Sequence, residues 1–475
     1  MDQSVLCPST IEKHDFPLFF FCLIILLFDF TAKSFFAHSG SLAALTCSFQ
    51  VYDNELSNTS SYTATKNMHQ TDIIVIGGGI AGVATACYLA QYGHEVILLE
   101  QHELATEASG LNSGTIWAAG WGHTPDLSTT LSMGSLDIFK TLQIDLGYDI
   151  EFRQGGTLQA IQTEEQYAYA QQEVRELLAR GRRVELLAAQ DARSIEPELS
   201  PHILGCLYYP QGSSAHPVKT VQAVASLAQQ HGARMLTHHE VTAITHLDDG
   251  TYQVVTPPAT FSTRTLVLAA GPWCRSLGAM LGLNIPVYAV RGQMWATAPV
   301  PPRIFHSMGA LESHLYWDTY PYSDERTPLG LTHRQGERLT RHLYGRQTRA
   351  GEIIIGGDRE VDAPKTPDQV GIETNRAHAL ELFPFLQDLP ITRTWAGWMP
   401  YTRDLRPLIG KIPHLENLYL LTGLCSSGFG KGLMSGKLLA EYMHNGVAAP
   451  ILSEADPARW VTTRSPGSPN SANPQ

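Results

Sequence analysis

Residues 72–100 read DIIVIGGGIAGVATACYLAQYGHEVILLE, the stretch of the chain with the most specific chemistry. An apolar run at 73–76 leads into Gly77, Gly79 and Gly82, spaced as G-x-G-x-x-G, and a helix-compatible segment follows over 80–93. Gly77 lets the strand turn tightly, Gly79 admits a pyrophosphate against the backbone, and Gly82 lets helix and strand pack closely. The helix start, Ile80-Ala81, then directs amides and a positive dipole end at phosphate. A second apolar run ends at Glu100, where a carboxylate can accept hydrogen bonds from a ribose 2′-OH. Strand, turn, helix, strand and acid in register predict dinucleotide binding.

Other segments could serve the same ligand. Ser109, Asn112 and Ser113 form a small, donor-rich loop shortly behind the acid, in EASGLNSGTI at 107–116. Gly271 and Trp273 punctuate the end of a strand predicted at 265–269. Gly423, Gly428, Phe429, Gly430, Lys431 and Gly432 lie in a glycine-rich loop predicted to lead into a helix at 433–445. Tyr316, Trp317, Tyr320 and Tyr322 cluster in an alternating segment at 313–322 and could wall a substrate cavity or fill a core. Arg291, Arg346, Arg403 and Lys431 are cations available to a carboxylate. His306, His314 and His333 do not make a metal-ligand spacing, and no metal is expected.

These groups need elements to hold them. Amphipathic helices are predicted at 131–146, 164–180 and 218–232. Short strands are predicted at 233–236, 240–244, 252–255 and 265–269, and alternating segments at 286–296, 313–322 and 351–356 suggest an antiparallel sheet with one covered face. A closing strand is predicted at 418–422. The pattern is an interrupted α/β nucleotide domain (68–150, 211–285 and 394–447). A mostly β second domain (151–210 and 286–393) is inserted between its pieces, with a tail at 448–475.

Composition sets bounds on partners. The 475 residues carry a formal net charge of −12, which speaks against nucleic acid, whose phosphates need a basic face. Seven cysteines with no C-x-x-C spacing suggest reduced thiols in a cytoplasmic setting rather than a disulfide framework. Residues 1–67 differ from the rest: an apolar run at 16–28 is too short to span a bilayer, and a polar linker follows. Three readings stand: an extension absent from the working protein, a membrane anchor through 16–37 at the inner face of a membrane, or a targeting peptide.

Taken together, four segments (72–100, 107–116, 265–294 and 395–443) resemble the D-amino-acid oxidase superfamily of FAD-dependent oxidoreductases, which includes glycine oxidase, sarcosine oxidase and D-amino-acid dehydrogenase. The resemblance implies an α/β fold, with a discontinuous Rossmann-type FAD-binding domain and an inserted, mostly antiparallel β substrate domain. It implies non-covalent FAD, held by the glycine-turn residues, Glu100, Gln101, Ser109, Asn112, Ser113, Val241, Gly271, Trp273 and the 423–432 loop. A single dinucleotide fingerprint makes a second, nicotinamide partner unexpected. The implied reaction is hydride transfer from an amino acid or secondary amine to FAD, with oxygen or a quinone as electron acceptor. Such enzymes need no acid–base dyad, because the cofactor carries the redox chemistry.

One position departs from the pattern. Glycine oxidase and D-amino-acid dehydrogenase place a substrate-binding arginine in W-x-G-x-R-P, and here Met399 stands there. An N-alkylated or cyclic amino acid is therefore as well suited as a simple one, and the cation must come from elsewhere. The alternatives are a dehydrogenase of 2-hydroxy acids and a flavin-binding module without catalysis.

Overall fold

The computed structural model describes residues 68–117, 125–312, 314–315, 331–334, 336–413 and 415–464. Two eight-stranded sheets organise them. The first is built around a run of parallel strands in the order Leu418–Thr422, Thr260–Leu268, Met68–Ile76, Val96–Leu99 and Arg234–Leu236, with Leu408–Lys411 antiparallel at one edge. The second half of its central strand, residues 73–76, is apolar because it is covered on both faces: Ile74 and Val75 have no exposed surface. This is the predicted α/β nucleotide fold, assembled from three stretches of the sequence.

The second sheet is mostly antiparallel. Its order is Ile391–Thr402, Val287–Thr297, Ile353–Val361, Tyr344–Gln347, Ser307–Ala310, Thr157–Ile161, Gly205–Tyr209 and Glu185–Ala188. Residue 293 of the second strand pairs with 358 of the third, but residue 294 pairs with 356. The extra residue is Gly357, at φ +146°, so the strand carries a bulge there. A bulge exchanges the faces of all residues beyond it.

Several expected elements differ in the structure. The segment expected to be a strand at 313–322 is helical at residues 312, 314 and 315, and 316–322 lie outside the described residues. The closing helix begins at Gly428 rather than 433, so the last five residues of the predicted loop form its first turn and a half. Residues 448–464 of the expected tail are built into the fold: Thr462–Thr463 pair with Leu283–Asn284, and Leu452, Ala455 and Val461 are buried. The anchor or linker expected at 1–67 lies outside the described residues. Among those described, no helix is long and apolar enough to cross a membrane. Cys87, Cys206, Cys274 and Cys425 are free thiols, the first three buried.

Two helices set the position of the cleft. Helix Ile80–Gln91 leaves the glycine turn, and helix Gly428–Asn445 lies directly against it. The contact is close because two residues of the closing helix have no side chain. A Cβ at Gly432 would stand 2.6 Å from Ile80 Cγ2, and one at Gly436 would stand 2.7 Å from Ala84 Cβ. Both helix N-termini are thereby held close together on the cleft wall. Gly436→Val should force the pair apart and cost about 1–3 kcal/mol, the usual penalty of overpacking. The check is thermal unfolding: a lower midpoint is expected, and an unchanged one contradicts the packing argument.

Candidate functional site

One continuous cleft runs from the glycine turn along the end of the first sheet to a face of the second. At its nucleotide end Gly77 turns at φ +119°, with Ala269 O 2.5 Å from where its Cβ would be. Gly79 begins helix Ile80–Gln91 without any side-chain cap of its own. Ser109 supplies one instead: its hydroxyl accepts the Ile80 N–H at 2.9 Å. The remaining first-turn amides have no acceptor within the helix. Glu100 is fixed through both carboxylate oxygens, which accept from Gly78 N–H at 2.6 Å and His102 N–H at 2.9 Å. Gln101 and Val241 line the wall beside it.

The middle of the cleft is a wall of backbone. Asn112 bonds its own loop, donating to the carbonyls of Ala108 and Ser109 and accepting from Gly114 N–H at 2.8 Å. Behind this loop the buried Arg346 donates to the carbonyls of Ser113 and Ala215, and burial pulls its guanidinium down to about 10. Gly271, Trp273, Gly428, Phe429 and Gly430 also line the cleft. At Gly428 and Gly430 a Cβ would meet nothing nearer than 3.5 Å, so these glycines are not required by packing and leave room beside the backbone. Glu107 Oε2, also on the wall, is buried and has no partner in the structure.

These features fit FAD. Glycines at the helix start suit a pyrophosphate, the fixed Glu100 suits a ribose, and the room at Gly428 and Gly430 suits a planar ring against backbone. Glu107 Oε2 suits a hydroxyl donor.

The far end of the cleft lies on the second sheet, where Trp117, His314, His342, Tyr344, Arg359 and Met399 gather. The face follows from register. Gly292 pairs with Gly397 on one side and with Arg359 on the other, so a rung of two glycines leads to the arginine. Met399 is two residues on from Gly397, and its methyl leans over Gly292, 2.8 Å from where a Cβ would stand. Arg359 is 4% exposed. Burial holds His314 down to about 4 and His342 well below the ordinary range, and the Arg359 charge pushes both the same way. Tyr344 and Tyr401 are raised by burial, with Arg359 acting against that rise.

The other sequence candidates fall elsewhere. Arg291 is on the opposite face, paired with Glu360 at 3.1 Å and Asp358 at 3.6 Å. Arg346 braces the loop, and Arg403 lies over the Trp460 ring, 5.9 Å from its centroid. Lys431 keeps part of its surface exposed, is not on the cleft wall, and is drawn down to about 8 by the protein packed around its amine. Gly82, Gly423 and Gly432 serve close packing rather than lining: a Cβ at Gly82 would run into Gly77 O, and one at Gly423 would stand 2.6 Å from Thr402 Cγ2. His306 bonds Glu196 at 2.9 Å, and His333 stands 3.4 Å from Asp358. Tyr316, Trp317, Tyr320 and Tyr322 lie outside the described residues. Among those described, no group of three His, Cys, Asp or Glu could hold a metal ion. Sequence reasoning missed Arg359, His342 and Tyr344, which no motif marks.

Residues 72–442 match the family model described as FAD dependent oxidoreductase. A glycine oxidase of Geobacillus kaustophilus (strain HTA426) is 26% identical over 380 residues, covering 78% of this chain and 93% of the relative. A D-amino acid dehydrogenase of Neisseria meningitidis is 27% identical over 424 residues, covering 78% and 94% respectively. The crystal structure of L-proline dehydrogenase from P. horikoshii superposes with a TM-score of 0.71 at 24% identity, over 83% of this chain and 98% of that one, a likeness of fold.

The buried imidazoles make stability depend on pH. His314 and His378 stay neutral in the folded chain until about 4, whereas an unfolded histidine titrates at 6.5. Between those values the unfolded chain binds protons the folded one refuses, so stability falls as pH is lowered through that window. His378→Gln should flatten the fall by up to roughly 1.4 kcal/mol per pH unit. Thermal midpoints measured from pH 7 to pH 4.5 check this, and an unchanged slope contradicts it.

Proposed function

This chain belongs to the FAD-dependent oxidoreductase family, and from that premise we propose that it oxidises the C–N bond of an amino acid or secondary amine. FAD, which the glycine turn, Glu100 and the Gly428–Gly430 helix start would hold, would supply the acceptor for a hydride from the substrate carbon, with oxygen or a quinone as final electron acceptor. The substrate is left as an imine, which water hydrolyses to a carbonyl compound and an amine.

The observation that carries the reading is the set of groups at the far end of the cleft. The described residues that gather there offer a cation, aromatic rings and imidazoles held neutral, and among them there is no carboxylate. An alcohol must give up its hydroxyl proton as the hydride leaves, which calls for a base with a pKa near the working pH. His314, pushed down to about 4, and His342, held well below the ordinary imidazole range by burial, are too weak for that task. An amine needs only to arrive uncharged, and its nitrogen lone pair then expels the hydride. The same end of the cleft therefore favours amines over 2-hydroxy acids. Relatives named as a glycine oxidase and a D-amino acid dehydrogenase support the same substrate class.

Three groups of the chain support the chemistry without taking part in bond making. Arg346 fixes the Ser113 carbonyl of the 109–115 loop and the Ala215 carbonyl beside it, Gly428–Gly430 present helix N-terminal amides where negative charge would be stabilised, and Trp117 and Tyr344 line the far end. The test is anaerobic mixing of the FAD-loaded protein with D-, L-, N-methyl and cyclic amino acids and with 2-hydroxy acids. Bleaching of the oxidised flavin's visible absorption is expected from members of the amine set alone. Bleaching by hydroxy acids alone, or by nothing in the panel, contradicts the proposal.

A further inference from the structure

Met399 leaves the position of a substrate-binding arginine without charge, yet a cation stands on the same face of the same sheet. We propose that Arg359 is the carboxylate anchor of this cleft, and that the substrate is an α-amino acid or N-alkylated amino acid held by its carboxylate against that guanidinium. The inference rests on the amine-oxidation reading and names the part of the substrate that this chain grips.

Register places Arg359 there. The rung Gly397–Gly292–Arg359 crosses three strands, and residues paired across a rung share a face. Met399 is on that face by its two-residue offset from Gly397, and so is Tyr344, which pairs with Gly356. Tyr344 confirms the face by reaching Met294 Sδ with its hydroxyl at 3.5 Å. The arginine is thus two strands from the Met399 strand, about 10 Å at normal strand spacing. Between them the sheet carries only glycine on this rung. A side chain at 292 would collide with the Met399 methyl, and one at 397 would stand 2.9 Å from Leu111 Cδ1.

The rest of the end fits a single carboxylate. Arg359 is buried, lines the cleft, and acts electrostatically on His314, His342, Tyr344 and Tyr401, which sets its charge among all four. A guanidinium presents a planar fork that matches a carboxylate in two hydrogen bonds, and it does so most strongly where water is excluded. The other two buried arginines of this sheet serve different places: Arg291 meets Glu360 and Asp358 on the opposite face, and Arg346 meets two backbone carbonyls behind the loop. With its carboxylate on Arg359, a substrate presents its nitrogen to neutral groups. The free amine is accepted, and an ammonium is disfavoured by the nearby cation.

The experiment compares the FAD-loaded wild type with Arg359→Met and Arg359→Lys. Benzoate, a carboxylate that is not oxidised, is titrated into each while the flavin spectrum is followed. The best amino acid from the anaerobic panel is then compared with its carboxamide as reductant. Arg359→Met should bind benzoate about ten- to a hundredfold more weakly, the scale of a lost charged hydrogen bond. It should lose reduction by the amino acid to a similar extent, while reduction by the uncharged carboxamide falls much less. Arg359→Lys should fall between, because an ammonium keeps the charge and loses the fork. Wild-type FAD content and thermal midpoint show that the variant is folded. Equal benzoate affinity in all three proteins overturns the anchor while leaving amine oxidation standing. Arginine-dependent benzoate binding with no reduction by any amine supports the anchor and overturns the reading of the reaction. If Arg359→Met fails to load FAD, Arg359→Lys alone decides: wild-type affinity and amino-acid preference overturn the proposal, and a loss of both supports it.

Discussion

Taking a guanidinium out of water costs several kcal/mol unless oxygen atoms meet it, so where a protein buries its arginines shows what their surroundings are for. Three are buried in the second sheet here. Arg291 is matched by acids on the face turned away from the cleft, so it stabilises the sheet. Arg346 is matched by the carbonyls of Ser113 and Ala215, so it fixes the loop at the middle of the cleft. Arg359, which also has interactions of its own within the protein, lines the cleft itself, where its charge acts on whatever enters.

The rest of the structure can be followed outward from that face. The second sheet must approach the nucleotide fold closely enough for Arg359 and a ligand on the glycine turn to share one cleft. Arg346 is one of the links that hold the two together, since it belongs to the second sheet and bonds the loop behind Glu100. The opposite wall is held by the helix pair, which can touch only because Gly432 and Gly436 are bare. Arg459, from the segment after the closing helix, ties down Asp404 at 2.9 Å and so fixes the turn that follows the Met399 strand.

The nucleotide end was legible because its signals are local. Glycine spacing, helix start and acid all fall within thirty residues, and close backbone approach leaves no other residue type at Gly77. The Met399 departure was legible for the same reason. Arg359 was not, and the cause is the bulge at Gly357. Simple alternation along Ile353–Val361 groups Arg359 with Ile353 and Ile355, whereas the bulge sets it with Ile354 and Gly356. No periodicity argument finds a residue whose face is exchanged by one glycine. Arg291 misled in the opposite way: it is a cation on the strand beside that of Arg359, but on the wrong face. The helix start at Gly428 was placed late because three glycines in five residues read as a loop, and helix–helix contact overrides that preference.

The most direct measurement is a crystal structure of the FAD-loaded protein with benzoate bound. The carboxylate should lie within hydrogen-bonding distance of the Arg359 guanidinium, on the face that carries Tyr344 and Met399, with the aromatic ring turned toward the flavin. A carboxylate bound instead by Lys431 or Arg403, with Arg359 turned away from it, would contradict the placement of the substrate end.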